Sequence, residues 1–239
     1  MKTSLSVIVP CFNEEKNLPL LVNRINQSVG QAGIPAEIVL VNDGSRDATG
    51  SVIDRLAKQF DNVRPVHHPV NQGIVGGWRS GLKASTGAWV LTTDADLQYA
   101  PEDIPVLYRA MEEGGWDLVQ GWRKDREDKS RVREILSVGL SRMLQWIFSM
   151  KLEDVKSGFI LYRKEVFADI LDFRQSYFSF QSLITVAAHF KGYRIRQVPI
   201  TFFRRHAGES FIQRPLWFSL KAATDLPKAF YEYRIQKRR

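Results

Sequence analysis

Trp89-Val-Leu-Thr-Thr-Asp-Ala-Asp-Leu-Gln98 is an apolar run that stops at two carboxylates one residue apart, with a carboxamide two positions further on. The run reads as a buried strand that delivers oxygen ligands to its carboxyl end. Alternation along an extended chain would place Asp94, Asp96 and Gln98 on one side. Hard oxygen ligands of this kind suit Mg²⁺ or Mn²⁺, the ions that also hold diphosphates. A plainer reading competes, since Asp-x-Asp before Pro101-Glu102-Asp103 is also ordinary helix-capping chemistry.

Working outward, the segments upstream repeat one rhythm. Leu5 to Val9 is a β-branched run broken by Pro10, and Leu18, Leu21, Val22 and Ile25 recur at helical spacing. Glu37 to Val41 reads as a second strand, followed by the turn Asn42-Asp-Gly-Ser-Arg-Asp47 and a helix with Val52, Ile53, Leu56 and Phe60 on one face. Val63 to His67 is a third strand, and a helix from about Val75 to Ala84 leads into the fourth, Trp89 to Thr93. Strands alternating with helices predict a mainly parallel sheet with helices on both faces and ligands at the strands' carboxyl ends. Polar clusters fall at three such ends: Pro10-Cys-Phe-Asn-Glu14, Asn42-Asp-Gly-Ser45 and Asp94-Ala-Asp96. Glu14 and Asp43 would accept hydrogen bonds from ribose hydroxyls or a base, with Gly44 relaxing the turn that presents Asp43. Helix capping by Asn13 or Asp43 is the simpler role for each residue taken singly. No Gly-x-Gly-x-x-Gly follows the first strand and no Gly-Lys-Ser/Thr loop occurs, so metal and basic side chains must hold any phosphates.

The chain has 239 residues, 44% hydrophobic and 25% charged, which suits a single globular domain. Within it, 1–98 forms a nucleotide-binding half, 99–214 an acceptor half and 215–239 an amphipathic, basic C-terminal segment. A single cysteine, Cys11, excludes an internal disulfide and a cysteine-built zinc site. The first ten residues read as a strand rather than a signal peptide, and no window of about 18 uninterrupted apolar residues predicts a membrane span. A net charge of +8, from 34 basic and 26 acidic residues, favours anionic partners without choosing among phosphates, lipid and nucleic acid. The histidines carry little signal: His67 and His68 end a strand without a ligand spacing to a partner, and His189 lies in a helical pattern. His206 sits beside Arg205, where it would touch phosphate.

Val9-Pro-Cys-Phe-Asn-Glu14, Val41-Asn-Asp-Gly-Ser-Arg-Asp-Ala-Thr49, Asn71-Gln-Gly73 with Gly81 and Ala84-Ser-Thr-Gly87, and Asp94-Ala-Asp-Leu-Gln98 resemble the inverting family-two glycosyltransferases of GT-A fold. Gly121-Trp-Arg123, Asp154-Val-Lys-Ser-Gly-Phe159, Gly192-Tyr193 leading to Val198-Pro-Ile200, and Arg205-His-Ala-Gly-Glu-Ser210 resemble its polyprenyl-phosphate branch, the dolichyl-phosphate mannose synthase type. The resemblance implies metal-dependent transfer of a hexose from a nucleotide sugar, of GDP-mannose or UDP-glucose type, to a polyprenyl phosphate. It implies Asp94, Asp96 and Arg123 as catalytic residues and Mg²⁺ or Mn²⁺ on Asp94, Asp96 and Gln98. Pro10, Phe12, Glu14, Asp43, Asp94, Ala95, Asp96 and Arg205 match donor-binding positions, Arg205 being the one that closes over the diphosphate. Arg123, Arg133 and Ser137 match positions that grip the acceptor phosphate, a task suited to the bidentate guanidinium. Two positions depart from the family pattern: Phe211 stands where lysine is common and Leu183 where glutamate is common.

From Arg131 to Lys151, Val132, Leu136, Leu140, Met143 and Ile147 recur at helical spacing, which predicts an amphipathic helix. With Trp146 and Phe148 as anchors it would lie on the cytoplasmic leaflet of a membrane, making the protein cytoplasmic and peripheral, and packing of the same face against the sheet is the competing reading. The stretch Pro215-Leu-Trp-Phe-Ser-Leu220 is a second candidate contact. The expected partners are thus a nucleotide sugar, a polyprenyl phosphate and the membrane surface, with a membrane-protein partner or a homo-oligomer left open. A family-two transferase acting on a saccharide acceptor is the competing enzyme reading. A nucleic-acid-binding module rests on charge alone and lacks any recognised helix-turn-helix, RNP or zinc pattern, so no nucleic acid is expected.

Overall fold

The structure is a computed structural model that describes residues 4–126, 139, 142–207 and 215–235. β1 (Leu5–Cys11), β2 (Ala36–Asp43), β3 (Val63–His68) and β4 (Trp89–Thr92) form the parallel half of one seven-stranded sheet. β5 (Leu118–Arg126), β6 (Ile160–Arg163) and β7 (Ile195–Phe202) complete it in the order β3-β2-β1-β4-β6-β5-β7. Only β6 runs against the others, antiparallel to both β4 and β5. β1 is an interior strand, paired on both sides and almost wholly buried, as a parallel strand covered on two faces must be.

The period of two in β1 divides the core. Leu5, Val7, Val9 and Cys11 join one apolar cluster with α1 (Leu18–Gln31), α2 (Thr49–Gln59) and α4 (Ile104–Glu112). Ile8 faces the opposite cluster, where α3 (Gly73–Ala84), α5 (142–148), α6 (Lys164–Ile170) and α7 (Ile184–Phe190) pack. Gly81 is what lets α3 lie flat on the sheet, since a Cβ there would collide with the Ile8 side chain. The chain closes with α8 (Pro215–Ala223), α9 (Asp225–Ala229) and a π-helical turn, Phe230–Ile235. No helix among the described residues is long and apolar enough to cross a membrane.

The expected fold is therefore the one observed, with two corrections of detail. β4 ends at Thr92, short of the acidic residues, and the chain turns through Ala95 and Asp96 to Leu97, whose φ is +62°. Extended-chain alternation does not operate from Asp94 to Gln98, so it cannot be what arranges those three side chains. A second correction concerns α5. Phe148 is 1% exposed and packs edge-on against Phe190, whereas Trp146 is 83% exposed. Phe148 is a core residue and not a membrane anchor; of the predicted amphipathic helix, residues 131–138, 140 and 141 lie outside the described residues.

Candidate active site at the carboxyl edge of the sheet

Because β6 is reversed, the loop that precedes it reaches the same edge as the loops that follow the parallel strands. Glu14 follows β1, Asp43 ends β2, His68 ends β3, Asp94 and Asp96 follow β4, Arg123 lies within β5, Asp154 precedes β6 and Arg205 follows β7. Residues spread over most of the chain are thereby collected at one edge, where doubly wound sheets bind ligands.

Arg205 is the hub of one half. Its Nη2 lies 2.7 Å from Asp96 Oδ2 and its Nη1 lies 3.3 Å from Glu14 Oε1. Asn17, 1% exposed at the start of α1, donates through Nδ2 to Glu14 Oε2 and, at 3.2 Å, to the carbonyl of Ala207. The loop after β7 is thus tied to the loop after β1 by both charge and hydrogen bonds. Asp96 Oδ1 accepts the Gln98 amide at 3.0 Å, and the Asp96 carbonyl accepts the His206 amide at 3.2 Å. Gln98 donates its side-chain amide to the Phe203 carbonyl at 3.3 Å, a contact that turns it toward the same loop.

Burial, together with the charge of Asp96, pushes the Asp94 carboxyl up to about 7, against the pull of Arg123 and Arg205. Burial raises Glu14 as well. Four carboxylates, Glu14, Asp94, Asp96 and Asp154, stand against the guanidiniums of Arg123 and Arg205 among the described residues here. Carboxylate oxygens suit a hard divalent cation by their chemistry, but among the described residues no group of three or more His, Cys, Asp or Glu side chains is placed to hold one, so Asp94 and Asp96 supply at most two such ligands.

Arg123 anchors the other half. Asp154, 3% exposed, takes its Nε at 2.6 Å and its Nη2 at 3.0 Å, a bidentate pair, while the guanidinium lies 5.1 Å over the Phe202 ring. Tyr99 stacks on Phe159, meets Phe202 edge-on and accepts the Gly158 amide at 2.9 Å. Gln197 fixes the loop that carries Asp154, donating to the Asp154 carbonyl at 3.0 Å and to Gln120 Oε1 at 2.8 Å.

At the β2–β3 end, Asp43 is 4% exposed and held from three sides. Its Oδ1 accepts the Gln72 amide at 2.8 Å and lies 2.7 Å from His68 Nδ1; its Oδ2 accepts the Gly73 amide at 2.9 Å. It therefore caps α3, a helix some 30 residues on, rather than the helix that follows it. Gly44 makes this possible with φ +68° and a Cβ position only 2.5 Å from the Asn71 nitrogen. Asn13, at φ +57°, caps no helix of its own; its Oδ1 accepts the Arg46 amide at 2.9 Å.

The structure thus brings Glu14, Asp94, Asp96, Arg123 and Arg205 together, and sets Asp43 beside His68 on the same edge. Pro10 faces α3 at Gly77, Phe12 is half-buried and Ala95 is buried. Arg133, Ser137 and Phe211 lie outside the described residues. Leu183 is 2% exposed in the core beside α7. His206 is exposed in the Arg205 loop, and His189 is exposed on α7. Cys11 is buried with its thiol 3.1 Å from the Val9 carbonyl, and burial raises its pKa, as suits a packing residue. Sequence reasoning gave Asp154 no role and set His68 aside. The partners that reveal them, Arg123 and Asp43, are 31 and 25 positions away.

Residues 6–171 match the profile of Glycosyl transferase family 2. Over 167 residues, 70% of this chain, it is 32% identical to dodecaprenyl-phosphate galacturonate synthase of Rhizobium johnstonii, of which it spans 49%. Over 215 residues, 85% of this chain, it is 32% identical to polyprenol monophosphomannose synthase of Mycolicibacterium smegmatis, of which it spans 79%. Among solved structures, glucosyl-3-phosphoglycerate synthase of Mycobacterium tuberculosis, in complex with Mn²⁺, UDP and glucosyl-3-phosphoglycerate, superposes with a TM-score of 0.72 at 18% identity. That likeness covers 95% of this chain and 80% of the other, and it bears on the fold alone.

Proposed function

The chain belongs to glycosyl transferase family 2, and from that premise we propose that it transfers a hexose from a nucleotide sugar to a polyprenyl phosphate at a membrane surface. The observation that carries this reading is the pairing of two differently built halves at one sheet edge. Glu14, Asp94 and Asp96 with the charge of Arg205 suit a metal-bound diphosphate, and Arg123, oriented by Asp154, suits the phosphate of an acceptor. The two 32%-identical relatives, both named for products on a prenyl phosphate, support the acceptor class.

Asp94 and Asp96 would hold Mg²⁺ or Mn²⁺, which when bound neutralises the charge of a leaving nucleoside diphosphate, and Gln98, expected as a third ligand, instead donates to the Phe203 carbonyl. In the proposed reaction an acceptor phosphate oxygen forms the new bond to the anomeric carbon while the bond to the diphosphate breaks, inverting that centre. The acceptor is already anionic, so no strong base is required. Arg205 shifts from Asp96 and Glu14 onto the donor diphosphate, and Arg123 presents its remaining N–H edge to the acceptor, joined by Arg133 and Ser137. Holding both substrates in line supplies the larger part of the rate.

A prenyl chain stays in the bilayer, so the acceptor site has to reach the interface. We place that contact on the cytoplasmic leaflet, where nucleotide sugars are made, through α8 and its neighbours. Trp217 is 54% and Leu220 65% exposed, Phe178 meets Trp217 edge-on, and the Lys221 ammonium lies 4.4 Å and 4.8 Å from these two rings. The test is incubation of the protein with Mg²⁺ or Mn²⁺, a panel of UDP- and GDP-sugars and a short polyprenyl phosphate. Sugar-phosphate lipid should form only with metal and lipid together. Nucleotide release that ignores the lipid, or that needs a saccharide acceptor, would sink the acceptor assignment.

A further inference from the structure

Gln120 on β5 and Gln197 on β7 are register partners, and their carboxamides bond to each other, Gln197 Nε2 donating to Gln120 Oε1 at 2.8 Å. Gln120 is wholly buried and Gln197 half-buried. The other ends of the pair meet the main chain of one loop, the one that carries Asp154. Gln120 Nε2 donates to the Ser157 carbonyl at 2.9 Å. Gln197 Oε1 accepts the Glu153 amide at 2.6 Å, and its Nε2 donates to the Asp154 carbonyl at 3.0 Å. One side chain thus does for residues 153 and 154 what a neighbouring strand would do for an extended chain.

The polarity of this pair is fixed. A main-chain amide only donates and a carbonyl only accepts, so turning over either carboxamide would set oxygen against oxygen at Asp154 or Ser157. Gln120 therefore locks Gln197 in one orientation. The same loop is held from behind by Thr185, wholly buried on α7, whose Oγ1 donates to the Val155 carbonyl at 2.6 Å. Within the loop, the Lys156 amide turns back onto Asp154 Oδ1 at 3.1 Å. With the main chain pinned on both sides of Asp154, its carboxylate has one direction, and the Arg123 fork follows it. Arg123, held through one edge, is left to offer the other. Groups that meet a ligand keep their geometry only when the residues behind them are locked in this way.

We infer that Gln197 is a positioning residue for the acceptor phosphate: its carboxamide, locked by Gln120, sets the Asp154 loop and thereby the edge of Arg123 that the phosphate meets. The inference rests on the acceptor reading above and deepens it, adding to Arg123 and Asp154 a pair that touches neither substrate.

Kinetics with a short polyprenyl phosphate, Mn²⁺ and the nucleotide sugar that wild type uses test it. Gln197→Met keeps the length of the side chain and removes its polar atoms. It should raise KM for the lipid phosphate about fivefold with kcat nearly unchanged, the pattern of lost binding rather than lost chemistry. Isothermal titration with UDP and with GDP, each with Mn²⁺, should match wild type. Two comparisons separate this role from a merely structural one. In an Asp154→Asn background the same substitution should add little, because Gln197 acts through Asp154. Glu37→Gln, a destabilising change near the amino end of β2, should leave KM for the lipid as it is. If Gln197→Met does not fold by circular dichroism, Gln197→Asn, too short to reach Glu153 and Asp154 together, should raise KM in the same direction. An unchanged KM in the folded variant, a fully additive effect beside Asp154→Asn, or an equal rise in Glu37→Gln overturns this inference and leaves the transferase reading standing. Failure of wild type to turn over any polyprenyl phosphate overturns both together.

Discussion

Replacing Asp154 by asparagine keeps the shape of the side chain and removes its charge, which isolates the Arg123–Asp154 pair. Asp154 is 3% exposed on its side chain and Arg123 13%, and the two bonds between them are 2.6 Å and 3.0 Å long. A guanidinium does not lose its proton, so Arg123 would stay charged with an amide N–H turned toward one of its own N–H groups. Breaking a buried pair by removing one partner costs about 3 kcal/mol or somewhat more. At roughly 2–4 °C per kcal/mol for a chain of this size, thermal unfolding should fall by about 6–12 °C. The comparison that isolates the cause is a double-mutant cycle. Arg123→Met/Asp154→Leu removes both charges and should recover much of the loss, because an apolar pair of similar volume is tolerated where a lone charge is not. In turnover, Asp154→Asn should raise KM for the lipid phosphate more than it changes nucleotide binding. An Asp154→Asn protein melting within about 1 °C of wild type, or a double variant as unstable as Arg123→Met and Asp154→Leu added together, would refute the reasoning.

Glu37 gives a pH-dependent prediction. Burial would raise its pKa, but hydrogen bonds from Ser6, from the amide and hydroxyl of Thr86 and from Arg64 outweigh burial and hold it below 4.5. A lowered carboxylate contributes stability that is fully present above its ordinary pKa and is lost as pH falls through the lowered folded value. Glu37→Gln should therefore unfold at lower urea than wild type at pH 7, with the difference closing below about pH 4. Gly44→Ala combines a positive φ with a collision at the Asn71 backbone and should cost more than about 1 kcal/mol, read by urea midpoint, while weakening nucleotide binding through the turn that carries Asp43. Wild type should float with anionic liposomes at low salt, and Trp217→Ser should lose most of that binding with its melting temperature unchanged. Flotation of the variant equal to wild type would move the contact to exposed Trp146.

The parallel half of the sheet was legible because its signals are local. β1 to β4 are short apolar runs separated by helices whose inward residues, such as Leu18, Leu21, Val22 and Ile25, repeat every three or four positions, and all four are buried. Asp94 and Asp96 stood out for the same reason, as charges at the end of an apolar run. The amphipathic face of the 142–148 helix was less decidable, since Met143, Leu144, Trp146, Ile147 and Phe148 offer apolar groups on nearly every side. Packing against Phe190 picks Phe148 for the interior and leaves Trp146 outside, and nothing within the helix itself encodes that choice.

The relations that give the site its chemistry lie between segments that no local pattern connects. Arg205 reaches Glu14 across 191 positions, and Asp154 reaches Arg123 across 31. The Arg123–Asp154 pair depends on the reversal of β6, which carries the Asp154 loop to the ligand edge, and the Arg205–Glu14 pair on the loop after β7, which reaches the turn after β4. Gln98 shows the opposite failure. Its spacing from Asp96 suggests a shared face, but the left-handed Leu97 breaks the alternation, and Gln98 binds the Phe203 carbonyl while Asp96 binds Arg205. Strain at Leu97 is of order 1 kcal/mol or more for a side chain other than glycine, and it persists because both neighbours are held by the β7 loop. The turn after β4 is consequently set by a loop more than 100 residues away, and any substitution that frees that loop should disturb Asp96 before it disturbs the sheet.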